Sequence, residues 1–423
     1  MDETLIARAI RKAIEGGAVL APPMPALGDD TSAVRTQTDI GIEPAVFETF
    51  VSELRADRDM EKFNRLFANV PHGGGVSVNL PNIARVLLAR AIATDDVEGT
   101  VARFSSYVER NATSSLAVMG ISGVTLDREI RLGPHISLMP MSSVPPSMQR
   151  GWALGNSRPG FAGFETPVSS ALITQFEYTP VFYLPKNPQP PEEMAAHIPT
   201  HAAQHLLHEA RNVLGVLGIH PVYRTFWVQP VDWLMSSGIT SGSQFAPGGF
   251  YERETAVPVE QAEAIAAAYF ELPARRRNDW LRIPLDRLGR AAREGDFADR
   301  AIDLGIALES LLLRDTDDRG ELGFRLSLRG AWLLGENETQ RLEILASLKA
   351  LYKLRSKAAH SGHVERSAKT SDTIARATEI CRALIAKMIE LQCKVDWEQI
   401  VLGGAPSNSF GSDDENGDVF LKA

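Results

Sequence analysis

The segment LYKLRSKAAHSG, residues 351–362, carries an arginine and a histidine whose chemistry suits a phosphodiester. Arg355 offers a planar, permanently charged fork that can hold two phosphate oxygens at once. His360 titrates near neutral pH, so it can act as a general base or a general acid. The pair is therefore a candidate phosphate-handling site. The alternative interpretation is architectural, with an arginine near a helix end and a histidine that caps it.

The spacing around Arg355 predicts a helix that begins near Glu338 and packs one face against the protein. Arg355 lies inside the apolar face, because its neighbours at three and four residues in both directions are apolar or aromatic. A charge drawn against a packed surface must be paired or used. The residues of this face are Leu345, Leu348, Leu351, Tyr352, Ala358 and Ala359.

The relative placement of Arg355 and His360 depends on where this helix ends. In a straight α-helix five residues correspond to a rotation of about 140° and a rise of about 7.5 Å, so the two side chains would diverge. If the helix instead ends near Ala359, with Gly362 at a C-terminal cap position, His360 leaves the helix and the arginine can reach toward it or toward a second copy of the site.

Glu309 repeats the same pattern on another predicted helix. Its neighbours at three and four residues are glycine or aliphatic, so its carboxylate is expected to face the interior of a bundle. It then needs a cation, and Arg329 and Arg355 are the two candidates. An ion pair between Glu309 and Arg329 would be purely architectural, whereas one with Arg355 would hold that arginine in a fixed rotamer.

Three separated motifs resemble the Apea-like HEPN family when they are taken in order. They are the runs ALESLL (307–312), RLSLRGA (325–331) and LYKLRS followed by HSG (351–356 and 360–362). The arginine followed after four residues by a histidine is similar to the signature of HEPN domains, which are helical bundles that include many metal-independent endoribonucleases. The resemblance covers roughly residues 276–400.

The resemblance implies a site and a reaction. Arg355 and His360 would be catalytic, and the 2′-hydroxyl of the RNA would attack the adjacent phosphodiester to leave a 2′,3′-cyclic phosphate without a metal or another cofactor. The residues expected to bind RNA are Lys353, Ser356, Lys357 and Arg366, and those expected to orient the site are Glu309, Arg329 and Tyr352.

The resemblance also implies partners and a biological role. HEPN sites commonly form across a two-fold interface, so we expect a homodimer or a higher homo-oligomer. The family is associated with prokaryotic anti-phage defence, in which cleavage of host RNA halts growth after a phage or host trigger is sensed. The rival hypothesis is a non-catalytic HEPN-like protein that dimerises or regulates a partner.

Composition is that of an ordinary globular protein, with 423 residues, 44% of them hydrophobic and 23% charged. The net charge of −9 excludes a protein that is basic throughout, so RNA binding would need a local patch. Residues 275–293 carry seven arginines against two acids, and residues 349–369 carry six cations against one acid, each a local charge of +5. The second patch surrounds Arg355 and His360, while the first also fits a solvated helix face.

A histidine cluster is a second candidate for chemistry. His201, His205 and His208 share one face of a predicted helix, with His197 one turn earlier and Glu209 beside them. Two imidazoles four residues apart can bind zinc. However, the zinc-protease pattern needs glutamate directly after the first histidine, and position 202 is alanine. A histidine-rich polar face is the commoner explanation.

The pattern along the chain predicts an α+β multidomain protein: a mixed helical and β-rich N-terminal region followed by an all-α HEPN-like bundle. Residues 1–113 are predicted to be mainly helical, 114–257 strand-rich with a sensing or targeting role, 258–400 the bundle with its core at 276–400, and 401–423 a disordered acidic tail. The longer predicted elements are helices at 4–14, 44–67, 80–109 and 191–217 and strands at 116–124, 129–139, 171–183 and 222–233, with a flexible loop at 236–249.

The two cysteines, Cys381 and Cys393, are too far apart on one predicted helix to bridge each other. The absence of a disulfide framework, a signal peptide or an apolar run of membrane-spanning length leads us to expect a cytoplasmic protein that does not bind membranes.

Overall fold

The computed structural model describes residues 1–20, 40–63, 67–69, 75–77, 79–109, 113–145, 147, 150, 153–154, 168–178, 182–183, 199–230, 244–245, 254–314 and 321–404. The chain is of the α+β class and divides into two compact units. The first comprises Met1–His208 and Val222–Ala256, and the second comprises Glu209–Pro221 and Val257–Ala423. The helices of residues 1–109 and the strands that follow belong to the same unit. Most of the predicted acidic tail, from residue 405 onward, lies outside the described residues.

The described helices are α1 (Glu3–Glu15), α2 (Pro44–Arg55), α3 (Arg58–Lys62), α4 (Leu80–Thr94), α5 (Val97–Val108), α6 (Pro199–Val213), α7 (Val259–Glu271), α8 (Ala274–Arg276), α9 (Arg282–Arg293), α10 (Phe297–Leu312), α11 (Leu322–Leu334), α12 (Glu338–Ser361), α13 (Ala368–Glu390) and α14 (Trp397–Val401). A π-helical turn, Arg277–Leu281, joins α8 to α9, and 3-10 turns occupy Met141–Ser143 and Leu214–Leu217.

The described strands are β1 (Val19–Leu20), β2 (Ile40–Gly41), β3 (Phe67–Asn69), β4 (Gly75–Ser77), β5 (Thr113–Ser122), β6 (Val124–Thr125), β7 (Ile130–Gly133), β8 (Ile136–Pro140), β9 (Ser170–Tyr178), β10 (Phe182–Tyr183), β11 (Val222–Pro230), β12 (Gln244–Phe245) and β13 (Thr255–Ala256). Among the described residues, all of them fall in the first unit.

Two long helices predicted for the first unit are each interrupted by an aspartate. The Asp57 carboxylate accepts hydrogen bonds from the backbone N–H groups of Asp59 and Met60 at 2.8 and 3.0 Å, so it starts α3 after α2 has ended. Asp95 adopts a left-handed φ of 51° and ends α4, and the Asp96 side chain then caps α5. The predictions of single helices at 44–67 and 80–109 were therefore wrong, because short polar residues that suit caps interrupt the apolar pattern.

The predicted strands assemble into a six-stranded sheet in the order β12-β11-β5-β9-β8-β7, and its strand pairs are antiparallel. The segment predicted as one strand at 129–139 is a hairpin, with Ile130 opposite Leu138. The segment at 171–183 is also divided, because β10 pairs with β3 in another sheet. The predicted loop at 236–249 contains β12, and its other residues lie outside the described part of the chain.

In the second unit α10 is the central helix, in contact with α9, α11, α12 and α13. Its buried residues recur at helical spacing and are small or aliphatic, including Ala301, Leu304, Leu308 and Leu311. Over the described residues of this unit, all the regular secondary structure is helical. Cys381 and Cys393 are buried and free, and burial raises the pKa of each thiol to about 12.

Glycines let α12 approach its two neighbouring helices closely. A Cβ atom at Gly305 of α10 would lie 2.6 Å from Cγ of Arg355, and one at Gly323 of α11 would lie 2.6 Å from Cδ1 of Tyr352. Both distances are shorter than nonbonded carbon atoms tolerate, so any larger residue would displace α12. The two glycines therefore set the position of the helix that carries the candidate site.

Candidate functional site

The helix α12 runs from Glu338 to Ser361, two residues beyond the end near Ala359 that was one of the two alternatives. The Asn337 side chain caps its start by accepting a hydrogen bond from the Gln340 N–H at 3.0 Å. Gly362, at a φ of +65°, caps its end and donates its N–H to the Ala358 carbonyl at 2.8 Å. Of the two alternatives for this helix, the structure therefore has the one in which it continues through His360, and Gly362 has the predicted capping role.

Because α12 includes His360, Arg355 and His360 diverge on one helix. Five helical residues separate them, which corresponds to a rotation of about 140° and a rise of about 7.5 Å. Arg355 faces α10, whereas His360 is exposed and makes no hydrogen bond or ion pair with any described residue. One chain therefore does not direct both side chains at a single phosphate.

Glu309 binds the guanidinium of Arg355. Of the two arginines considered as partners of Glu309, the structure therefore pairs it with Arg355. Nη2 of Arg355 donates to Oε2 of Glu309 at 3.1 Å, and the two side chains are only 30% and 24% exposed. The ring of Tyr352 lies 5.9 Å from the guanidinium carbon. Nε of Arg355 is buried without an acceptor, and Nη1 has none among the described residues. The arginine is thus anchored at one nitrogen and retains free donors.

Burial raises the pKa of the Glu309 carboxyl, and the charge and hydrogen bond of Arg355 oppose that shift without cancelling it. The carboxylate is therefore costly to keep ionised at this position, despite its cationic partner. Any loss of the Arg355 charge would raise the pKa of Glu309 further.

Arg329, the other candidate partner of Glu309, makes structural contacts elsewhere in the bundle. Its Nη1 donates to the carbonyl oxygen of Leu312 at 2.6 Å, which satisfies an acceptor at the end of α10. Its guanidinium also lies over the ring of Trp397, 4.8 Å from the centroid. The alternative of an architectural ion pair between Glu309 and Arg329 is therefore not the one observed, because Arg355 binds that carboxylate.

The exposed face of α12 is a basic stripe that ends at His360. Lys353, Lys357 and His360 are exposed and Ser356 is partly buried, and spacings of three, four and seven residues place them on one side of the helix. Lys349 extends the stripe, with its ammonium 5.1 Å from the ring centroid of Phe324. Four of the predicted site residues therefore share one surface.

Arg366 lies beyond the helix end and is tied to the start of α10. Its Nη2 donates to the Gly295 carbonyl at 3.1 Å, and its guanidinium is 5.8 Å from the Phe297 ring centroid. Asp296 is 4.0 Å from the same nitrogen, so the charge is partly balanced. Arg366 is 67% exposed and remains accessible to solvent.

The first arginine-rich patch is largely divided among structural partners. Arg277 pairs with Glu209 at 3.3 Å and lies over the rings of Tyr269 and Phe270. Further ion pairs join Arg275 to Asp279, Arg287 to Asp303 and Arg290 to Asp286. The patch is therefore not a continuous surface of free cations.

The histidine cluster of α6 does not assemble as a metal site in the described part of the chain. His201 and His205 are exposed, whereas the ring of His208 packs edge-on against Tyr223 with 5.4 Å between centroids. No group of three histidine, cysteine or acidic side chains there could hold a metal ion. His197 lies outside the described residues.

Sequence reasoning missed Gly305 as a residue that shapes the site. It precedes Glu309 by four residues, so both lie on the face of α10 that meets Arg355. A glycine four residues before an inward-facing glutamate was the signal that could have identified it.

Comparison of the chain with protein-family models, with curated proteins and with solved structures finds no match. Among the helices of the described ranges, none combines the length and apolar character needed to cross a membrane. The functional argument therefore depends on the residues and geometry of this chain.

Proposed function

We propose that the second unit is a HEPN-type helical bundle and that the protein is a metal-independent endoribonuclease. The observation that carries the proposal is the state of Arg355. Glu309 binds one of its nitrogens, while Nη1 has no acceptor among the described residues and the side chain keeps 30% exposure. A guanidinium anchored in this way can bind a phosphate oxygen without reorganising.

In the proposed reaction the 2′-hydroxyl of a ribose attacks the neighbouring phosphorus atom. His360 removes the hydroxyl proton or returns a proton to the departing 5′-oxygen, and Arg355 stabilises the negative charge that develops on the phosphorane. The products are a 2′,3′-cyclic phosphate and a 5′-hydroxyl. Lys353, Ser356, Lys357 and Arg366 bind the RNA backbone on either side of the cleaved bond.

The divergence of Arg355 and His360 along α12 requires two copies of the chain in the proposed enzyme. A two-fold axis beside α12 would bring His360 of one copy toward Arg355 of the other. The exposed apolar side chains of Phe324 and Leu342, 45% and 58% exposed, are available to such an interface. We therefore propose a homodimer as the catalytic form.

The proposed biological role is anti-phage defence in the cytoplasm. RNA cleavage would halt growth of an infected cell, and the first unit would sense the phage or host trigger or target the enzyme. Activity would then stay latent until that trigger is present.

A non-catalytic dimerisation or regulatory protein is the second candidate, and the packing of Arg355 favours it. The stem of Arg355 lies against Gly305 and its charge balances Glu309, so the residue also has an architectural task. The net charge of −9 agrees with this alternative, because a protein that is acidic overall repels a polyanionic substrate.

The deciding experiment compares wild-type protein with His360→Ala and His363→Ala variants on total cellular RNA in EDTA, and maps the fragment ends. His363 is the matched control because it is another exposed histidine, just past the end of α12. We expect cyclic-phosphate ends from wild type and His363→Ala only. Equal cleavage by His360→Ala would refute the mechanism.

If none of the proteins cleaves RNA, the same three are expressed during phage infection. Growth arrest with wild type and His363→Ala, but not with His360→Ala, would indicate a latent nuclease. A partner bound equally by all three, with no RNA cleavage under infection, would establish the regulatory alternative.

A further inference from the structure

The lysines of the basic stripe on α12 have no acidic partner in the described part of the chain. Lys349, Lys353 and Lys357 are exposed and recur every four residues, so their side chains follow one another at intervals of about 6 Å along the helix. The ammonium group of Lys349 contacts the ring of Phe324, and no described carboxylate lies within ion-pair distance of any of the three. The stripe is therefore a row of positive charges that an acidic partner would neutralise.

The described chain ends beside the start of the same helix. A Cβ atom on Gly403 would lie 3.8 Å from Cη2 of Trp332 on α11. The guanidinium carbon of Arg341, in the first turn of α12, lies 3.8 Å from the centroid of that same ring. Gly404, the last described residue, donates its N–H to the Gln399 carbonyl at 2.8 Å. The chain therefore leaves the bundle next to Trp332, which also contacts the start of α12.

The chain beyond Gly404 includes an acidic segment, residues 413–418, with the sequence DDENGD. Four of its six residues are acids, and no lysine or arginine occurs between residues 405 and 421 to neutralise them locally. Residues 419–421, with the sequence VFL, follow directly and add apolar side chains that match the exposed ring of Phe324. Charge and apolar character therefore both complement the surface of α12 around the basic stripe.

The connection to the acidic segment is long enough to reach the basic stripe. Asp413 is nine residues beyond Gly404, which allows a span of up to about 30 Å in an extended chain. Measured along α12 from Arg341, Lys349 is about 12 Å away and Lys357 is about 24 Å away. The acids can therefore contact each lysine of the stripe while the described helices keep their positions.

The arginine-rich patch of residues 275–293 is a poorer partner for the acidic segment. Arg275, Arg287 and Arg290 each pair with an aspartate already. A carboxylate that bound there would have to displace an existing one, whereas the lysines of the stripe have no described carboxylate to displace.

We propose that the acidic segment, residues 413–418, binds the basic stripe of α12 in the same chain and covers Lys353 and Lys357. Each exposed ion pair is weak, but the segment is tethered, so its effective concentration at the stripe is on the order of millimolar. The bound segment occupies cations that would otherwise bind a polyanion. The consequence for RNA rests on the proposed nuclease function, in which release of the segment opens the stripe to the RNA backbone. The contact itself does not depend on that function.

The test is pulse acetylation of lysines in the full-length protein, quantified for each lysine by mass spectrometry. The comparison is a neutral-segment variant that carries Asp413→Asn, Asp414→Asn, Glu415→Gln and Asp418→Asn. These changes lie outside the described helices and remove the charge of the segment alone.

We expect the three stripe lysines to react at least about threefold faster in the variant, because their bound partner is lost. Wild-type protein in about 0.5 M salt should approach the rates of the variant, since salt screens exposed charges. Lys369 of α13 is the internal control, because it is exposed and lies off the stripe, and its rate should not change.

Equal rates at the stripe lysines in wild type and variant, or an equal change at Lys369, would overturn the proposal. Protection that disappears on dilution would show that a second copy supplies the segment, and would overturn the contact within one chain. Faster acetylation of the variant supports the contact whether or not either protein cleaves RNA, and equal rates overturn it even if both cleave. The outcome is therefore distinguishable from failure of the proposed nuclease function.

Discussion

Glu309→Gln and Arg355→Met remove opposite ends of one ion pair, and we expect them to have unequal effects on stability. At 3.1 Å the gross attraction between unit charges is about 5 kcal/mol with an effective dielectric constant of about 20. The pKa of Glu309 is nevertheless raised. The desolvation penalty on its carboxylate is therefore larger than the stabilisation that the charge and hydrogen bond of Arg355 provide. The ionised carboxylate therefore contributes no net stability.

Glu309→Gln should consequently change the free energy of unfolding by less than about 1 kcal/mol at pH 7. Arg355→Met keeps the aliphatic stem beside Gly305 but leaves the carboxylate without its cation. We expect it to cost about 2–3 kcal/mol, the range for a partly buried charge that loses its partner. The double variant should recover much of that loss.

The pH dependence has a defined sign. A carboxyl whose pKa is raised in the folded protein binds more protons there than in the unfolded chain, so its contribution favours folding at low pH. That contribution is lost as pH rises from the ordinary carboxyl pKa through the raised value. In Arg355→Met the pH range over which this contribution is lost should extend to higher pH, because the pKa of Glu309 rises further. Glu309→Gln removes the titrating group, so this pH dependence should disappear.

The assay is hydrogen exchange of peptides from α10 and α12, measured between pH 5 and 8 with correction for intrinsic exchange rates. It reports the opening free energy of the helices that carry the pair, separately from the first unit. A Glu309→Gln variant destabilised as much as Arg355→Met at pH 7 would refute this reasoning, because the carboxylate charge would then be stabilising.

Substitutions at three further positions, each with its comparison, test the packing and caps of α12. Gly305→Ala should cost about 1–3 kcal/mol, because the new methyl group meets Arg355, whereas Gly295→Ala, with open space around it, should cost little in the same thermal unfolding comparison. Gly362→Ala should cost about 1 kcal/mol through its positive φ alone, and Gly362→Asn less; equal melting temperatures for the two would contradict this. Asn337→Ala should lower stability by about 1 kcal/mol and speed amide exchange in the first turn of α12, and an unchanged rate there would argue against the cap.

Several features of the second unit could be predicted from local sequence. The apolar repeat around Arg355 predicted that the guanidinium would face a neighbouring helix, and the structure places it there. Gly362 predicted a C-terminal cap, because glycine adopts a positive φ without a steric penalty. The neighbours of Glu309 predicted an inward-facing carboxylate, and that side chain is only 24% exposed. In each case residues within one or two turns carry the information.

The breaks in long elements were harder to predict. Asp57 and Asp95 interrupt runs whose apolar spacing continues on both sides. At such positions the free energies of ending the helix at a cap and of continuing it differ little, so the sequence alone does not show which occurs. The hairpin at residues 130–140 and the separate strands at 170–178 and 182–183 depend on pairing with distant strands. A pattern of alternating residues does not specify which partner each strand will have.

By itself, the sequence determined that Glu309 of α10 and Arg355 of α12 turn inward, because helical periodicity is a local property. Ala359, which the same pattern placed on the packed face, is exposed. Only the tertiary structure decided that Glu309 binds Arg355, that Arg329 binds the end of α10, and that Arg382 binds the Val216 carbonyl in the turn Leu214–Leu217. Those choices depend on how closely helices approach, and glycines such as Gly305 and Gly218 allow approaches that no spacing within one segment reveals.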